Sequence, residues 1–235
     1  MSKNSYIFLN TDNGIGLNYD SNFNLNLSKS DFMANSISLM NVCFNNSVYP
    51  FSSFNNTLTI LEAANTLNLT ITPNNYTGNE MAAHLQTLLN AATLAAFVYT
   101  VSYNTQSKKL TISSTGTFTI TGGSSLNELG FVIYSSPVSL YNGNFPVNLA
   151  GSKYIDVISS LSTNNISSNK YSNVLARIPL DGSFGSIISW ENEESYIDLM
   201  SDISNITLRL FDESGRPYRL PNNVSVSYTF KLRWS

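Results

Sequence analysis

The chain has 235 residues, enough for one substantial β domain or two smaller domains that each bury a core. Lys and Arg number 12 and Asp and Glu 15, and the resulting net charge of -3 is too small to draw the protein to DNA, RNA or anionic lipid. Charged residues make up only 11% of the sequence, so copies of the protein repel one another weakly. The composition therefore argues against sequence-specific nucleic-acid binding and favours self-association.

An apolar patch lies near the start of the chain, within the arm formed by residues 1–21. The patch consists of Tyr6, Ile7, Phe8 and Leu9. No apolar run here is long enough for a signal peptide, and no later run reaches the roughly 18 residues of a membrane span. We therefore expect a protein without a membrane span that folds in a reducing cytoplasm. The patch is either a contact with another subunit or a short edge strand of the same subunit.

Alternation of apolar and polar residues is the dominant pattern of the chain, and it is typical of half-buried β-strands. Clusters of Asn, Gly, Asp and Pro separate the alternating segments, as turns do. The alternating segments include FNLNLS, NSISL, TLTIL, TLNLTI, FVYTVSY, KLTIS, TFTI, NVLARI, NITLRL and VSVSYTFKLRW. Many short antiparallel strands joined by turns predict a mainly β protein with a sandwich architecture.

The alternation changes phase just before Cys43. Apolar residues occupy odd positions first and even positions afterwards: Ile37 and Leu39, then Met40, Val42 and Phe44. A β-bulge, or a strand that passes between two sheets, would produce this shift. Cys43 is the only cysteine, so an intrachain disulfide and a thiolate metal site are both excluded. We expect it to be a small buried hydrophobic residue.

One segment, TGNEMAAHLQTLLNAATLAA, has helical periodicity instead. Its apolar residues recur at helical spacing: Met81, Leu85, Leu88, Leu89 and Ala92. The spacing predicts a helix over about residues 78–92, with Thr77 or Asn79 as the N-cap. His84, the only histidine, borders the apolar stripe, which favours a packed or surface role over a catalytic one. A β-hairpin with its loop at residues 104–108 and a short helix in SSLNELGF follow.

The sequence contains few residues that could catalyse a reaction. One histidine and one cysteine cannot supply a typical zinc site or a serine-nucleophile triad, and no phosphate-binding glycine loop is present. The best alternative is a carbohydrate-cleaving site in WENEESYIDL, formed by Trp190, Glu191, Glu193, Glu194 and Asp198. Clustered acids in a loop are more commonly just solvated. We therefore predict a protein without enzyme activity, with no catalytic, cofactor-binding or metal-binding residues and no cofactor.

The last third of the sequence carries a family resemblance. It contains VLARIPLDG, then LRLFDESGRPYRL, and then the long alternating segment NVSVSYTFKLRW. In this order the segments resemble the penton (vertex) proteins and related minor capsid proteins of virophages, Polinton-like viruses and large DNA viruses. The resemblance covers roughly residues 150–235, and the segment with the predicted helix and hairpin also looks like one found in such proteins.

The resemblance implies a single jelly roll of two antiparallel sheets, built from residues 1–61 and 151–235. Residues 62–150, with the helix and the hairpin, would form an insertion that projects away from the shell. The first three strands of the jelly roll would then lie within residues 22–72 and the fourth at 153–160. The last four would lie near residues 174–180, 186–197, 204–211 and 224–234.

The function implied by the resemblance is structural. The chain would be a virion protein, a homopentamer at the fivefold vertex of an icosahedral double-stranded DNA virus, next to the major capsid protein. It would fold in the host cytoplasm or virus factory, and a host surface receptor or glycan would be a further partner. The apolar patch, rather than the resemblance, suggests that residues 6–9 of the arm contact a neighbouring subunit. The alternative function is a carbohydrate- or receptor-binding β-sandwich module, since the 13 Tyr and 2 Trp could stack on sugar rings.

Overall fold

The structure is a computed structural model that describes residues 4–11, 15–17, 20–27, 35–161, 173–192, 195–198, 203–221 and 223–233. The chain divides into two compact units, the first formed by residues 1–48 and 152–235 and the second by residues 49–151. The sequence had placed this boundary at residue 61. The segment from 49 to 61 belongs to the second unit because its strand residues pair only with other strands of that unit.

The described chain is built mainly of antiparallel strands. The strands are β1 Asn4–Asn10, β2 Ile15–Leu17, β3 Asp20–Leu27, β4 Ser36–Asn45, β5 Thr57–Glu62, β6 Asn65–Thr70, β7 Tyr99–Asn104, β8 Lys109–Gly122, β9 Tyr134–Asn142, β10 Tyr154–Ser159, β11 Val174–Pro179, β12 Ile187–Glu191, β13 Ile197–Asp198, β14 Ile203–Asp212 and β15 Val226–Arg233. The helices are α1 Gly78–Ala92 and α2 Leu126–Leu129.

The first unit contains two sheets. Sheet 1 has the order β1-β15-β4-β12, with β13 also paired to β4, and sheet 2 has the order β11-β10-β14-β3-β2. Without β2 and β13, the first unit has eight strands, which can be numbered 1 to 8 along the chain. In these numbers sheet 1 has the order 1-8-3-6 and sheet 2 the order 2-7-4-5. This order is that of a jelly roll, so the predicted fold class is confirmed.

The core of the jelly roll lies between the inner faces of sheets 1 and 2. Sheet 1 contributes alternate residues of β4 and β15, such as Phe44 and Phe230, and sheet 2 contributes residues such as Val157 and Leu208. All four side chains are almost completely buried. Alternate positions of each strand therefore face the opposite sheet, as the alternating sequence pattern requires.

The first three jelly-roll strands were predicted within residues 22–72: the first lies outside this range, the second begins just before it, and the third lies inside it. The first strand is β1, and all seven of its residues pair with β15 of the same chain. The second and third are β3 and β4, whereas β5 and β6 pair with each other in the second unit. The alternation in residues 57–70 is real, but it gives no information about which sheet those strands join.

The phase shift near Cys43 is a β-bulge, the first of the two structures that the sequence allowed. Thr229 of β15 lies opposite Asn41, while the next residue, Phe230, lies opposite Leu39. Met40 is the extra residue, and β4 continues through it without changing sheets. The bulge lets both halves of β4 direct apolar side chains into the same core.

The final strand is a central strand of sheet 1, between β1 and β4. Its alternate residues Val226, Tyr228, Phe230 and Leu232 are buried. Burial of each large side chain stabilises the fold by about 1.5 to 3 kcal/mol. Val224, at the predicted start of the strand, is partly buried against the same core, and Trp234 lies outside the described residues.

The second unit packs helix α1 on a third sheet, of order β6-β5-β8-β7 with β9 also paired to β8. Met81, Leu85 and Leu89 of α1 are buried in its core. Thr77 is the N-cap, and it forms a capping box with Glu80, in which each side chain accepts a hydrogen bond from the other residue's backbone N–H. The predicted helix, the hairpin between β7 and β8 and the short helix α2 are all present.

Candidate assembly surface

The acidic segment WENEESYIDL, the alternative carbohydrate-cleaving site, is described only in part, because Glu193 and Glu194 lie outside the described residues. Trp190 lies opposite the buried Val42 and packs against the jelly-roll core. Glu191, the next residue, points to the other side of the sheet and is exposed. Asp198 of β13 is also exposed. The Trp190 ring and the Glu191 carboxylate are therefore on opposite faces of sheet 1.

His84 has a structural environment. Its Nε2 accepts a hydrogen bond from the backbone N–H of Thr72 at 3.3 Å, and its ring stacks on Tyr76 with 5.1 Å between ring centroids. Burial lowers the pKa of His84, which favours the neutral ring that can accept this hydrogen bond. The interaction ties α1 to the segment that follows β6, in agreement with the packed role that the sequence favoured.

Cys43 is only partly buried, contrary to the expectation of a core residue. It lies on the outer face of sheet 1 because the neighbouring residues Val42 and Phe44 occupy the inner face. Within the described ranges, no group of three His, Cys, Asp or Glu side chains is arranged to hold a metal ion. Neither helix of the described chain has the length and apolar character that crossing a membrane requires.

The predicted contact patch is divided between the two faces of β1. Leu9 is buried, and Ile7 packs partly against the jelly-roll core. Tyr6 and Phe8 point the other way, with 54% and 74% of their surface exposed, and their rings stack at 6.4 Å. Of the two interpretations left open by the sequence, the edge strand of the same subunit is therefore observed. Two exposed aromatic rings remain at this edge of sheet 1.

A second apolar patch, which the sequence analysis missed, lies at the opposite edge of sheet 1. Ile187, the first residue of β12, is 68% exposed, and Phe184 in the preceding turn is also exposed. Asn46 holds the turn in place. Its side-chain Nδ2 donates to the Gly182 carbonyl at 2.8 Å, and its backbone carbonyl accepts from the Gly185 N–H at 2.7 Å. The run SFGSII could have revealed it, because two consecutive isoleucines cannot both face the core of one sheet.

The outer face of sheet 2 carries a charged cluster. The Arg177 guanidinium makes a bidentate ion pair with the buried Asp156 carboxylate, with Nε–Oδ1 at 2.8 Å and Nη2–Oδ2 at 3.0 Å. The guanidinium also lies over the Tyr154 ring, 4.0 Å from its centroid. The hydrogen bonds that Arg177 donates to Asp156 raise the pKa of Arg177 above its ordinary value. This cluster joins β10 to β11.

Comparison with known proteins bears on the fold. The structure is similar to the crystal structure of selenomethionine-labelled mavirus penton protein, with a TM-score of 0.52 and 12% sequence identity, over 97% of this chain and 99% of that chain. The chain shares the fold of a penton protein. The resemblance predicted from the sequence is therefore confirmed at the level of the fold. No protein-family model matches the sequence, and no curated protein matches it.

Proposed function

We propose that the protein is a structural capsid protein that forms the pentameric vertex, or penton, of an icosahedral double-stranded DNA virus. The observation that carries the proposal is the similarity to the mavirus penton protein, which extends over nearly the whole of both chains and includes both units. The proposed location is the virion, where the protein contacts the neighbouring major capsid protein. This role requires self-association and no chemical transformation.

Two physical properties support this role. The low charge of the chain keeps repulsion between copies weak, and the outer face of sheet 1 presents exposed apolar side chains at both of its edges. Tyr6 and Phe8 are the proposed subunit contacts of β1. Ile7 and Leu9 contribute to the subunit's own core, so only the outward side chains of this edge strand are proposed as contacts.

The test is the mass of the purified protein in solution, measured by light scattering, together with electron cryo-microscopy of assembled particles. We expect a pentamer in solution and density for the chain at fivefold vertices. A protein that stays monomeric at high concentration and is absent from fivefold positions would reject the proposal.

A matched pair of variants tests the role of β1. Phe8→Asp should weaken association by roughly 10- to 100-fold, the equivalent of losing the burial of one large side chain. Leu140→Asp is the control, because Leu140 is a similarly exposed residue (55%) on β9 of the second unit. Both variants should keep the circular dichroism spectrum of the parent, since both positions are exposed. Equal effects on association would show that Phe8 has no special role.

A further inference from the structure

We infer that Glu62, at the end of β5, is an acid-sensitive latch in the second unit. Its ionised carboxylate holds residues 94–97, here called the latched segment, which follow helix α1. Protonation of the carboxylate releases this segment, while α1 and the jelly roll stay folded. The latch lies wholly within the second unit, so it operates whether or not the subunits assemble.

The Glu62 carboxylate accepts hydrogen bonds from the latched segment and from the residue before it. Oε1 accepts from the backbone N–H groups of Leu94 and Ala95. Oε2 accepts from the Thr93 hydroxyl at 2.8 Å, and the same hydroxyl oxygen accepts from the Phe97 N–H at 3.2 Å. Three backbone N–H groups of the latched segment thus depend on Glu62, two of them directly and one through Thr93.

The chain on both sides of the latched segment is held without Glu62. Before it, the Thr93 N–H donates to the Leu89 carbonyl at 3.0 Å and continues the hydrogen bonding of α1. After it, the Val98 N–H donates to the Thr115 hydroxyl at 2.9 Å, and the Val98 carbonyl accepts from the Thr115 N–H at 3.1 Å. Loss of the Glu62 contacts should therefore free only the residues between these two points.

The conformation of the latched segment is unfavourable without such a partner. Ala96 has a φ of 56°, in the left-handed region that residues with a Cβ atom rarely adopt. Leu94 is 71% exposed, so its side chain contributes little burial to hold the segment. Phe97 packs only partly against the core of the unit. The hydrogen bonds to Glu62 therefore decide whether this conformation persists.

The groups that face Glu62 carry no charge. Asn65 of β6 and Phe118 of β8 lie opposite it on the neighbouring strands. From β7, the Tyr99 hydroxyl donates to Oε2 at 3.0 Å. Burial, together with this hydrogen bond and the charge of Glu62, raises the pKa of Tyr99 above its ordinary value, so the phenol is neutral in acid. Thr93, at the end of α1, does not ionise. Protonation of Glu62 is thus the ionisation that changes this site in acid.

The other ionisable side chains of the second unit, apart from tyrosines, are distant from Glu62. They are Glu80, His84, Lys108, Lys109 and Glu128. His84 lies nine residues before the helix C-cap, about 14 Å along the helix axis, and Glu80 is farther away. The two lysines lie at the end of the β7–β8 hairpin that is opposite to Tyr99. Glu128 belongs to α2, which begins beside the opposite end of β5.

The direction of the pH dependence follows from the hydrogen bonds to Glu62. Burial acts to raise its pKa, but the donors of the latched segment, Thr93 and Tyr99 outweigh burial and lower the pKa from 4.5. The contacts of the ionised carboxylate are therefore fully present above pH 4.5 and are lost as the pH falls through the lowered pKa. Each unit of lowering corresponds to roughly a tenfold shift between the latched and the released state.

Hydrogen exchange of the full-length protein between pH 7 and pH 3 tests the latch, with each rate expressed relative to that of an unstructured peptide at the same pH. The reporters are the amide protons of Leu94, Ala95 and Phe97. In the parent, their protection should fall by roughly tenfold or more, with a midpoint below pH 4.5. Glu62→Gln, which imitates the protonated carboxyl, should show the lower protection at every pH.

Glu80→Gln is the matched control. Hydrogen bonds also lower the pKa of Glu80, but its partner is Thr77 at the start of α1. This variant should therefore keep the parent's pH profile in the latched segment. The parent profile needs no substitution, so the test does not depend on the folding of a variant.

Three results would overturn the inference. Constant protection of the latched segment in the parent down to pH 3 would show that ionisation of Glu62 does not hold it. An acid-dependent loss that persists in Glu62→Gln would assign the effect to another group. A simultaneous loss of protection in α1, or in β4 and β15, would show general unfolding instead of local release. Light scattering and electron cryo-microscopy test the capsid proposal separately, so either claim can fail without the other.

Discussion

The two units of the molecule stabilise a buried carboxylate in different ways. In the jelly roll, Asp156 is matched by the guanidinium of Arg177 on the neighbouring strand. In the second unit, Glu62 at the end of β5 is completely buried and accepts hydrogen bonds from neutral donors. The donors are the Thr93 hydroxyl at 2.8 Å, the Leu94 and Ala95 backbone N–H groups and the Tyr99 hydroxyl at 3.0 Å.

The difference follows from the elements that each unit has available. Regular strands place residues directly opposite one another, so a sheet can match Asp156 with Arg177 by register alone. The second unit has a helix that ends beside the sheet, and the chain that leaves it offers backbone N–H groups. Burial acts to raise the pKa of Glu62, but the hydrogen bonds outweigh it and the pKa is lowered. The residues that follow the helix, together with Tyr99, can thus stabilise a buried negative charge without a cation.

The largest expected effects come from truncating the two separate cores. Phe230→Ala in β15 and Leu85→Ala in α1 should each cost about 3 to 5 kcal/mol, because both side chains are completely buried. The two core clusters share no residue, so each variant should lose amide protection mainly in its own unit. Hydrogen exchange measured by mass spectrometry checks this. Equal loss of protection in both units after either substitution would show that they unfold as one.

A smaller effect is expected from the buried carboxylates. Glu62→Ala leaves four donors without an acceptor and should cost roughly 3 kcal/mol, whereas Glu62→Gln keeps one carbonyl oxygen and should cost about half as much. Asp156→Asn should cost only about 1 kcal/mol, because the Arg177 side chain is partly exposed and can regain water. Urea unfolding gives the three free energies, and a larger loss for Asp156→Asn than for Glu62→Ala would reverse the comparison.

The smallest effect concerns pH and should appear in the second unit. The pKa of His84 is lowered from 6.5, so the unfolded chain takes up a proton at a higher pH than the folded chain does. Stability should therefore fall as the pH drops through 6.5 toward the lowered value. Glu62, with a pKa lowered from 4.5, loses its contribution only at still lower pH. His84→Gln should reduce the loss of stability between pH 6.5 and the lowered pKa, measured by thermal melts across this range. An unchanged pH profile would show that His84 does not cause this loss.

Local patterns predicted the local structure well. The apolar spacing of α1 and the Thr77 cap identified the helix, because its hydrogen bonds and its cap involve residues that are close in sequence. The hairpin between β7 and β8 was also visible for this reason. The phase shift near Cys43 was visible too, but the choice between a bulge and a change of sheet depended on pairing with the distant β15.

Strand pairing was harder to predict because alternation looks the same in every sheet. Strands β5 and β6 alternate as clearly as β4 does, so the range 22–72 predicted for the first three jelly-roll strands included them. For β1 the sequence left a subunit contact and an edge strand both open, because its four consecutive apolar residues hide the alternation of Tyr6 and Phe8 with Ile7 and Leu9. The patch at Phe184 and Ile187 was missed because exposure depends on what lies across the strand. Pairing partners distant in sequence leave no trace in a local pattern.

The position of β15 at the centre of sheet 1 bears on how the protein matures during synthesis. The strands on either side of it, β1 and β4, leave the ribosome early, whereas β15 emerges after all the other described strands. The second unit has all its strand partners within residues 49–151 and can be complete well before then. Folding of sheet 1 should therefore be the slow, late step, since contacts between distant segments delay folding. Until that step β4 lacks the neighbour that completes its side of the sheet.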